Sequence, residues 1–251
     1  LIILKLIITN GFNLRELNML DNIAIIPVRT GSKRLPNKNT ADFFGKPMFM
    51  HTVDAAVKSN LFDEVHVSTE SELVADICLN NNLKVEFLRP QHLADDTASL
   101  ESVCLYVLDK FHNEYNKSFK NFCLLWATAP LRTSIDIVDS YSLLDESCDC
   151  VVSVTDYDLP VYCSQQVNSD GLLEPNFPDM FWLPGQDMPK VYCDNGALSW
   201  TKVDAFRKEG VWMPKKARPY YMDKSVSADI DTQADLDFAR YLYEIQRKNL
   251  P

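Results

Sequence analysis

Several things are scarce or missing in this 251-residue chain. No apolar run approaches the ~20 residues needed to cross a bilayer. The opening "LIILKLIITNGFNLRELN" is too short for such a span and has no small-residue cleavage site, so it does not read as a secretory signal. We expect residues 1–20 to be a leader outside the core, with Met19 as the natural start before the first convincing strand. Positive charge is in deficit: 25 Lys and Arg face 35 Asp and Glu, a formal net charge of -10. The chain lacks the broad basic face that nucleic-acid binding requires. No membrane partner is indicated either. The seven cysteines include no Cys-x-x-Cys, and Cys148-Asp149-Cys150 is too tight for paired zinc ligands. His51, His66, His92 and His112 do not cluster with them. Thiols in a reducing cytoplasm are the expectation. There is no low-complexity tract and no internal repeat.

What is present alternates. "IAIIPV" (23–28) is a continuous apolar run ended by proline, the pattern of a buried parallel strand. Helical spacing follows over 46–60, and strand spacing over 62–69. Residues 70–82 read as a helix, 84–88 as a short strand, and 99–115 as a strongly amphipathic helix. A buried strand over 121–128 precedes a helix over 133–147 capped by Thr133 or Ser134. Strands and helices joined by short connections predict an α/β fold, a doubly wound and mostly parallel sheet flanked by helices. After 149–158 the texture changes. Residues 159–195 are rich in Pro, Gln, Asn, Asp and aromatics, and predict an irregular β-rich excursion. Strand and helix return over 196–210, and 227–249 reads as a short strand, a turn and a closing helix. We expect one domain over 21–251 with the excursion at about 155–195.

The positive charge that exists is concentrated. "PVRTGSKRLPNKN" (27–39) places Arg29, Lys33, Arg34 and Lys38 directly after the first strand. Ligands of doubly wound sheets bind beyond the carboxyl ends of the strands. The loop has a single glycine, Gly31. It can form neither a Walker nest nor the three-glycine dinucleotide fingerprint. It must grip phosphates with side chains instead: Arg29 as a planar fork, Lys33 and Lys38 as point charges, Ser32 and Gly31 through amides. Four cations so close repel each other unless an anion is bound, and a triphosphate suits them. The plainer reading is a solvated basic loop.

"ADIDTQAD" supplies acid. On a short strand Asp229 and Asp231 face one way while Ile230 faces the core. Two carboxylates of this kind suit Mg²⁺, which usually bridges to substrate phosphates. The alternative is that Asp231 or Thr232 caps the helix that follows.

These stretches, with "FDEVHVSTES" (62–71), "FLRPQHLADDTAS" (87–99), "ATAPLR" (127–132), "QDMPKVYCDNGAL" (186–198) and "DIDTQADLDFA" (229–239), resemble the acylneuraminate cytidylyltransferases. That family makes CMP-activated nonulosonic acids such as sialic acid. The resemblance runs from about Ile23 to the closing helix. It implies a Rossmann-like nucleotidyltransferase fold, a homodimer formed with the excursion, CTP as donor, an acidic nine-carbon sugar as acceptor and Mg²⁺ as cofactor. It also implies attack of the anomeric hydroxyl on the α-phosphate of CTP, with loss of pyrophosphate. Carried onto this sequence, Arg29, Ser32 and Lys33 bind the triphosphate, and Lys38 stabilises charge at the α-phosphate. Arg29, Lys38 and Asp231 are the catalytic set. Asn39, Arg89 and Ser99 contact the nucleoside, while Asp229 and Asp231 hold the metal. Gln186, Asp187, Asn195 and Gly196 line the sugar pocket, although Asn-Gly alone is a turn signal.

The chain departs from the sialic acid pattern at two places. Trp126 stands where those enzymes usually carry a sugar-contacting Gln, which exchanges an amide for a ring with one donor. Gly185 replaces an Arg that helps meet the sugar carboxylate. The pseudaminic branch commonly has an aromatic at the first position. The resemblance therefore favours a 5,7-diamino acid, pseudaminic or legionaminic, over N-acetylneuraminate. A cytidylyltransferase for the eight-carbon acid Kdo is disfavoured by Asn37, Lys38 and Asn39. A nucleotide-binding protein without turnover is the remaining alternative. The general base stays open between a metal-bound hydroxide and a carboxylate such as Asp229.

Overall fold

The computed structural model describes residues 17–32, 34–157 and 159–249. The first strand, β1, spans Asn18–Pro27. It starts ahead of the expected Ile23, because Asn18, Met19 and Leu20 already pair with Lys117, Ser118 and Phe119. Those three residues thus belong to the sheet and not to a leader. Residues 1–16 of the expected leader lie outside the described residues.

A small hairpin follows, β2 (Asp42–Phe43) and β3 (Lys46–Pro47), then helix α1 (Met48–Ser59), β4 (Glu64–Ser68) and α2 (Glu72–Asn80). Phe44 and Gly45 turn the hairpin with φ of 51° and 85°. The positive pair is the twist-matched geometry for a two-residue loop. Helix α3 (Leu100–Tyr115) leads into β5 (Lys117–Leu125), and α4 (Ser134–Tyr141) into β6 (Cys150–Asp156). Of the two expected caps for α4, Thr133 serves, reciprocated by Asp136 in a capping box. Beyond the excursion come β9 (Tyr192–Lys202), α6 (Val203–Glu209), β10 (Ala217–Tyr221) and α7 (Gln233–Asn249). Within the excursion lie β7 (Gln165–Val167), β8 (Leu173–Pro175) and the single turn α5 (Pro178–Phe181).

Six strands form the main sheet in the order β10-β6-β9-β5-β1-β4. Strand β1 is parallel to both its neighbours, and β10 is parallel to β6. The exception is β9, antiparallel to β5 and β6. Alternation along β1 and β5 builds two cores. Ala24, Ile26, Cys123 and Leu125 pack with Phe49, Val53 and Ala56 of α1, Val74 of α2, Ile137 of α4 and Trp200. Ile23, Ile25, Phe122 and Leu124 pack with Val107 and Phe111 of α3 and Phe206 of α6. The sheet is covered on both faces, which is why its central strands read as continuous apolar runs. A third cluster, Phe43, Met48, Leu131, Ile230, Leu236 and Ala239, fastens α7 beside the start of α1.

Two expected strands do not form. Residues 84–88 have no ladder partner; hydroxyls of Tyr115 and Tyr106 instead donate to the carbonyls of Glu86 and Leu88 at 2.9 and 3.3 Å. Phe87 is drawn from any sheet position onto His66, with ring centroids 4.4 Å apart. Residues 227–231 have no neighbouring strand to join. Their tie is the Ile230 amide, which donates to the Thr128 carbonyl at 3.1 Å. The excursion is also shorter than its sequence texture. Thr155 pairs with Cys193 and Asp156 with Tyr192, so both of its ends belong to the main sheet.

Candidate active site

The chain leaves β1, crosses through α1 to β4 on one side, and returns through α2 and α3 to β5 on the other. The carboxyl end of β1 is therefore a topological switch point, where two connections diverge and open a crevice. A cavity of about 570 Å³ occupies that place. Its walls include Arg29, Ser32, Arg34, Lys38 and Asn39 after β1, Arg89, Asp95, Asp96 and Ala98 beyond β4, Trp126 and Thr128 after β5, and Asp229 and Asp231 before α7.

The basic loop does not depend on a ligand to relieve its own repulsion. The Lys38 ammonium lies 2.8 Å from Asp231 Oδ1, and the Arg34 guanidinium 2.7 Å from Asp231 Oδ2. The Arg29 guanidinium lies 2.7 Å from Asp96 Oδ1. The chain's own carboxylates hold the positions an anion would neutralise, so a polyphosphate must compete with them. Lys38 is not the solvated cation the sequence suggested, since its side chain is 15% exposed. Lys33 lies outside the described residues. The loop is braced where the Asn39 amide donates to the Arg29 carbonyl at 2.9 Å. Asn37, in left-handed backbone at φ 54°, turns the chain into the short helical turn Lys38–Thr40. Asn tolerates that conformation better than most residues.

Asp229 and Asp231 share the cavity although they are not on a strand. Ile230 between them is fully buried in the α7 cluster, which turns both flanking side chains the other way. Helix α7 is capped by Thr232, whose hydroxyl accepts from the Asp235 amide at 3.3 Å while Asp235 accepts from the Thr232 amide at 2.7 Å. Capping therefore leaves Asp231 to the cavity. Asp229 Oδ1 accepts from the Thr128 hydroxyl at 2.8 Å. It touches water within the cavity yet is ringed by protein. That desolvation, aided by the charge of Asp231, raises its carboxyl above the ordinary value despite the Thr128 bond. Gly196, at φ 60°, sits against it: a Cβ there would come within 3.1 Å of Asp229 Oδ2. Asn195-Gly196 is not a hairpin turn. It lies in β9 opposite the register shift between Val152 and Val154, where a bulge needs this backbone.

The other expected residues divide. Arg89 and Trp126 line the cavity. Trp126 packs edge-on to Trp212 with centroids 5.3 Å apart, and its carbonyl accepts from the Thr52 hydroxyl at 3.2 Å. Asn195 is buried, accepting from the Ser153 hydroxyl at 2.6 Å, beside the cavity and not in its wall. Ser99 caps α3 by accepting from the Ser102 amide at 3.2 Å, and its neighbours Ala98 and Leu100 line the cavity in its place. Gln186 and Asp187 are exposed in the excursion, apart from the cavity wall. The sequence reading missed Arg34, Asp96 and Thr128 as members of the site. Arg34 was visible in the basic run, but its partner Asp231 is 197 residues away and no local pattern joins them.

Against known proteins, this architecture is that of a nucleotidyltransferase. A solved CMP:2-keto-3-deoxy-manno-octonic acid synthetase in complex with CTP has the same fold, with a TM-score of 0.67 over 90% of this chain and 99% of that one, at 17% identity. The cytidylyltransferase family model matches residues 23–131. A pseudaminic acid cytidylyltransferase of Campylobacter jejuni is 29% identical over 91% of this chain and 98% of its own length. A CMP-N,N'-diacetyllegionaminic acid synthase of Legionella pneumophila is 31% identical over 91% and 98%. The chain belongs to the acylneuraminate (nonulosonic acid) cytidylyltransferase family, and it is an enzyme of the nucleotidyltransferase type.

The raised carboxyl of Asp229 has a thermodynamic sign. A carboxyl that binds its proton more readily when folded favours the fold at low pH and costs stability once pH rises through its folded value. Asp229→Asn keeps the acceptor for Thr128 and removes that cost. Thermal melts of the ligand-free protein should show a small rise in midpoint at neutral pH that disappears in acid, while turnover falls by roughly a hundredfold or more.

Proposed function

We propose that this chain transfers CMP from CTP to a nonulosonic acid and releases pyrophosphate, with a 5,7-diamino acid such as pseudaminic or legionaminic acid as acceptor. The observation that carries this is the 2.8 Å contact of Lys38 with Asp231 inside the switch-point cavity. Cationic loop and acidic pair, distant in sequence, meet where a nucleotide would lie. In the reaction the anomeric hydroxyl oxygen attacks the α-phosphorus and gives up its proton to a base or to solvent, the bond from that phosphorus to the bridging oxygen breaks, and pyrophosphate leaves with the electron pair. Little covalent chemistry falls to the protein, which must align the groups and neutralise charge.

For residues of the cavity wall the roles follow from position; for Lys33, which lies outside the described residues, and for Ser99, Asn195 and Gly196 they rest on the family's motifs. Arg29, Ser32 and Lys33 hold the triphosphate, with Arg29 exchanging Asp96 for phosphate. Lys38 exchanges Asp231 for the α-phosphate and stabilises the charge that develops there. Asn39 and Arg89 line the cavity, and each has one buried polar atom, Oδ1 and Nε, without a partner among the described residues. They are assigned to the cytidine, with Ser99 supporting that wall as the cap of α3. Asp229 and Asp231 fit a divalent ion: two hard-oxygen donors share one cavity, one of them with a raised carboxyl, and Gly196 leaves the space beside it free. Mg²⁺ held there would add positive charge against the phosphates. Trp126, Asn195 and Gly196 are assigned to the sugar. The ring of Trp126 offers an apolar wall to an acylamino methyl where an amide would have sought a hydroxyl. The relatives named for pseudaminic and legionaminic acids support the same acceptor class.

Gln186 and Asp187 are assigned to the sugar across a homodimer interface, since they stand away from this chain's own cavity. The excursion supports that reading. It exposes Leu159 (77%), Leu173 (67%) and Trp182 (82%), more apolar surface than a lone arm would present to water. All seven cysteines are free thiols, and no helix among the described residues is long and apolar enough to cross a membrane. The free thiols fit an enzyme of the reducing cytoplasm.

The acceptor is tested by pyrophosphate release from CTP across a panel of nonulosonic acids. Pseudaminic or legionaminic acid should turn over best, and a strong preference for N-acetylneuraminate would overturn the assignment. Lys38→Ala should lower kcat by about a hundredfold or more while the thermal midpoint moves little, because Arg34 still pairs with Asp231. Near-normal kcat would remove its catalytic role. Light scattering should give the mass of a dimer, and Trp182→Ser should shift it toward monomer; a monomeric wild type ends the shared-site reading of Gln186 and Asp187.

A further inference from the structure

Glu70 has no part in the roles above, yet its carboxylate ties the start of the basic loop to Arg89 of the cavity wall. Oε1 accepts from both the amide and the hydroxyl of Thr30, each at 2.8 Å. Oε2 accepts from Arg89 Nη2 at 3.1 Å. The Arg89 and Glu70 side chains are 3% and 7% exposed. Glu70 follows the end of β4, where the Val28 amide donates to the Ser68 carbonyl at 2.9 Å and the Arg89 amide to the Thr69 carbonyl at 2.8 Å. One short turn after β4 thus fastens both the first residues of the basic loop and the segment that carries Arg89.

Burial by itself would raise the Glu70 carboxyl, but the two Thr30 donors and Arg89 outweigh it and hold the group below its ordinary value. The carboxylate is held in its charged form by three donors, two from Thr30 and one from Arg89. Arg89 leans on it: burial holds the guanidinium below its ordinary value, and Glu70 is the acidic partner that offsets part of that. A buried charge deprived of its partner is costly, and it moves or draws in water. Glu70 thus joins Arg89, which lines the cavity, to Thr30, which lies between the cavity residues Arg29 and Ser32 at the start of the basic loop.

We propose that Glu70 is a positioning residue for the transfer reaction, aiming Arg89 into the cavity and pinning the start of the basic loop at Thr30, so that capture of the nucleotide depends on it. The proposal rests on the cytidylyltransferase reading of the cavity. Its mark is a change in KM for CTP that exceeds any change in kcat, and it acts through Arg89 and not beside it.

The experiment is steady-state kinetics on the full chain with CTP varied at saturating acceptor. It compares wild type, Glu70→Gln, Arg89→Met and the double variant, with thermal melts of each. Gln keeps the length and an oxygen for Thr30, but offers no charge to Arg89. Each single change should raise KM for CTP about tenfold with kcat within about threefold of wild type. The double variant should be no worse than the poorer single, because both remove one linkage. Glu70→Asp, charged but a methylene short, should recover part of the loss. Effects that multiply in the double variant, or an unmoved KM in Glu70→Gln, overturn the proposal. Should Glu70→Gln fail to fold, Glu70→Asp and Thr30→Val carry the test, and normal KM values in both overturn it. A wild type that neither binds CTP nor releases pyrophosphate overturns the reading of the cavity and this proposal together, a result distinct from an active wild type with an unmoved Glu70 variant.

Discussion

The ion pair between Lys38 and Asp231 joins parts of the chain 193 residues apart, and the candidate site exists only because they meet. The loop after β1 brings cations to the switch point; the segment before α7 brings carboxylates to the same place. Each half alone is an ordinary surface feature. Four cations crowded on an acidic protein would repel one another, and two carboxylates two residues apart would do the same. Facing each other across one cavity, they are mutually compensated and ready to be parted. A nucleotide triphosphate with a divalent ion carries the same two signs of charge in the opposite arrangement, so it can replace both partners at once.

That confrontation requires a rigid frame. Strand β1 lies between β4 and β5, with Ile23 and Ile25 packed toward one helical layer and Ala24 and Ile26 toward the other. Its direction cannot drift without unpacking both cores. On the opposite wall Ile230, fully buried, orients Asp229 and Asp231 as firmly as a strand would. Thr232 and Asp235 take over the capping of α7, so Asp231 has no structural duty that competes with the cavity. The β9 bulge at Gly196 keeps a side chain away from Asp229. Glu70 and Asn39 brace the start of the basic loop, at Thr30 and at the Arg29 carbonyl, Asn39 reaching back from the loop's far end. Most of the polar cavity residues are charged, and Arg89 and Asn39 among them are buried and hydrogen-bonded.

Much of this was legible along the chain. The buried strands near 23–28 and 121–128, the helices over 46–60 and 99–115, and the α/β class all follow from periodicity, which burial on a covered sheet imposes directly on residue choice; the helix expected over 133–147 forms but stops at Tyr141. The basic loop was legible because its composition runs against the charge of the whole protein. The segment 84–88 misled because alternation shows which faces are buried but not whether a partner strand is there; the tyrosines of α3 supplied its hydrogen bonds instead. The acidic pair was found for a partly mistaken reason. Alternation correctly placed both carboxylates on one side, yet the order comes from Ile230 entering a core cluster and not from a ladder.

The sequence by itself determined the alternation of strand and helix, the position of the basic loop and the chemistry of its side chains, because those depend on neighbours close in the chain. Only the tertiary structure decided that Lys38 and Arg34 close on Asp231, that β9 runs antiparallel between β5 and β6, that Ser99 spends its hydroxyl on a helix end, and that Glu70 ties Thr30 to Arg89. Each of these pairs residues far apart in the chain or selects one of several partners a side chain could take. Packing settles such choices, since a buried charge or hydrogen-bonding group accepts whichever partner the fold delivers within reach.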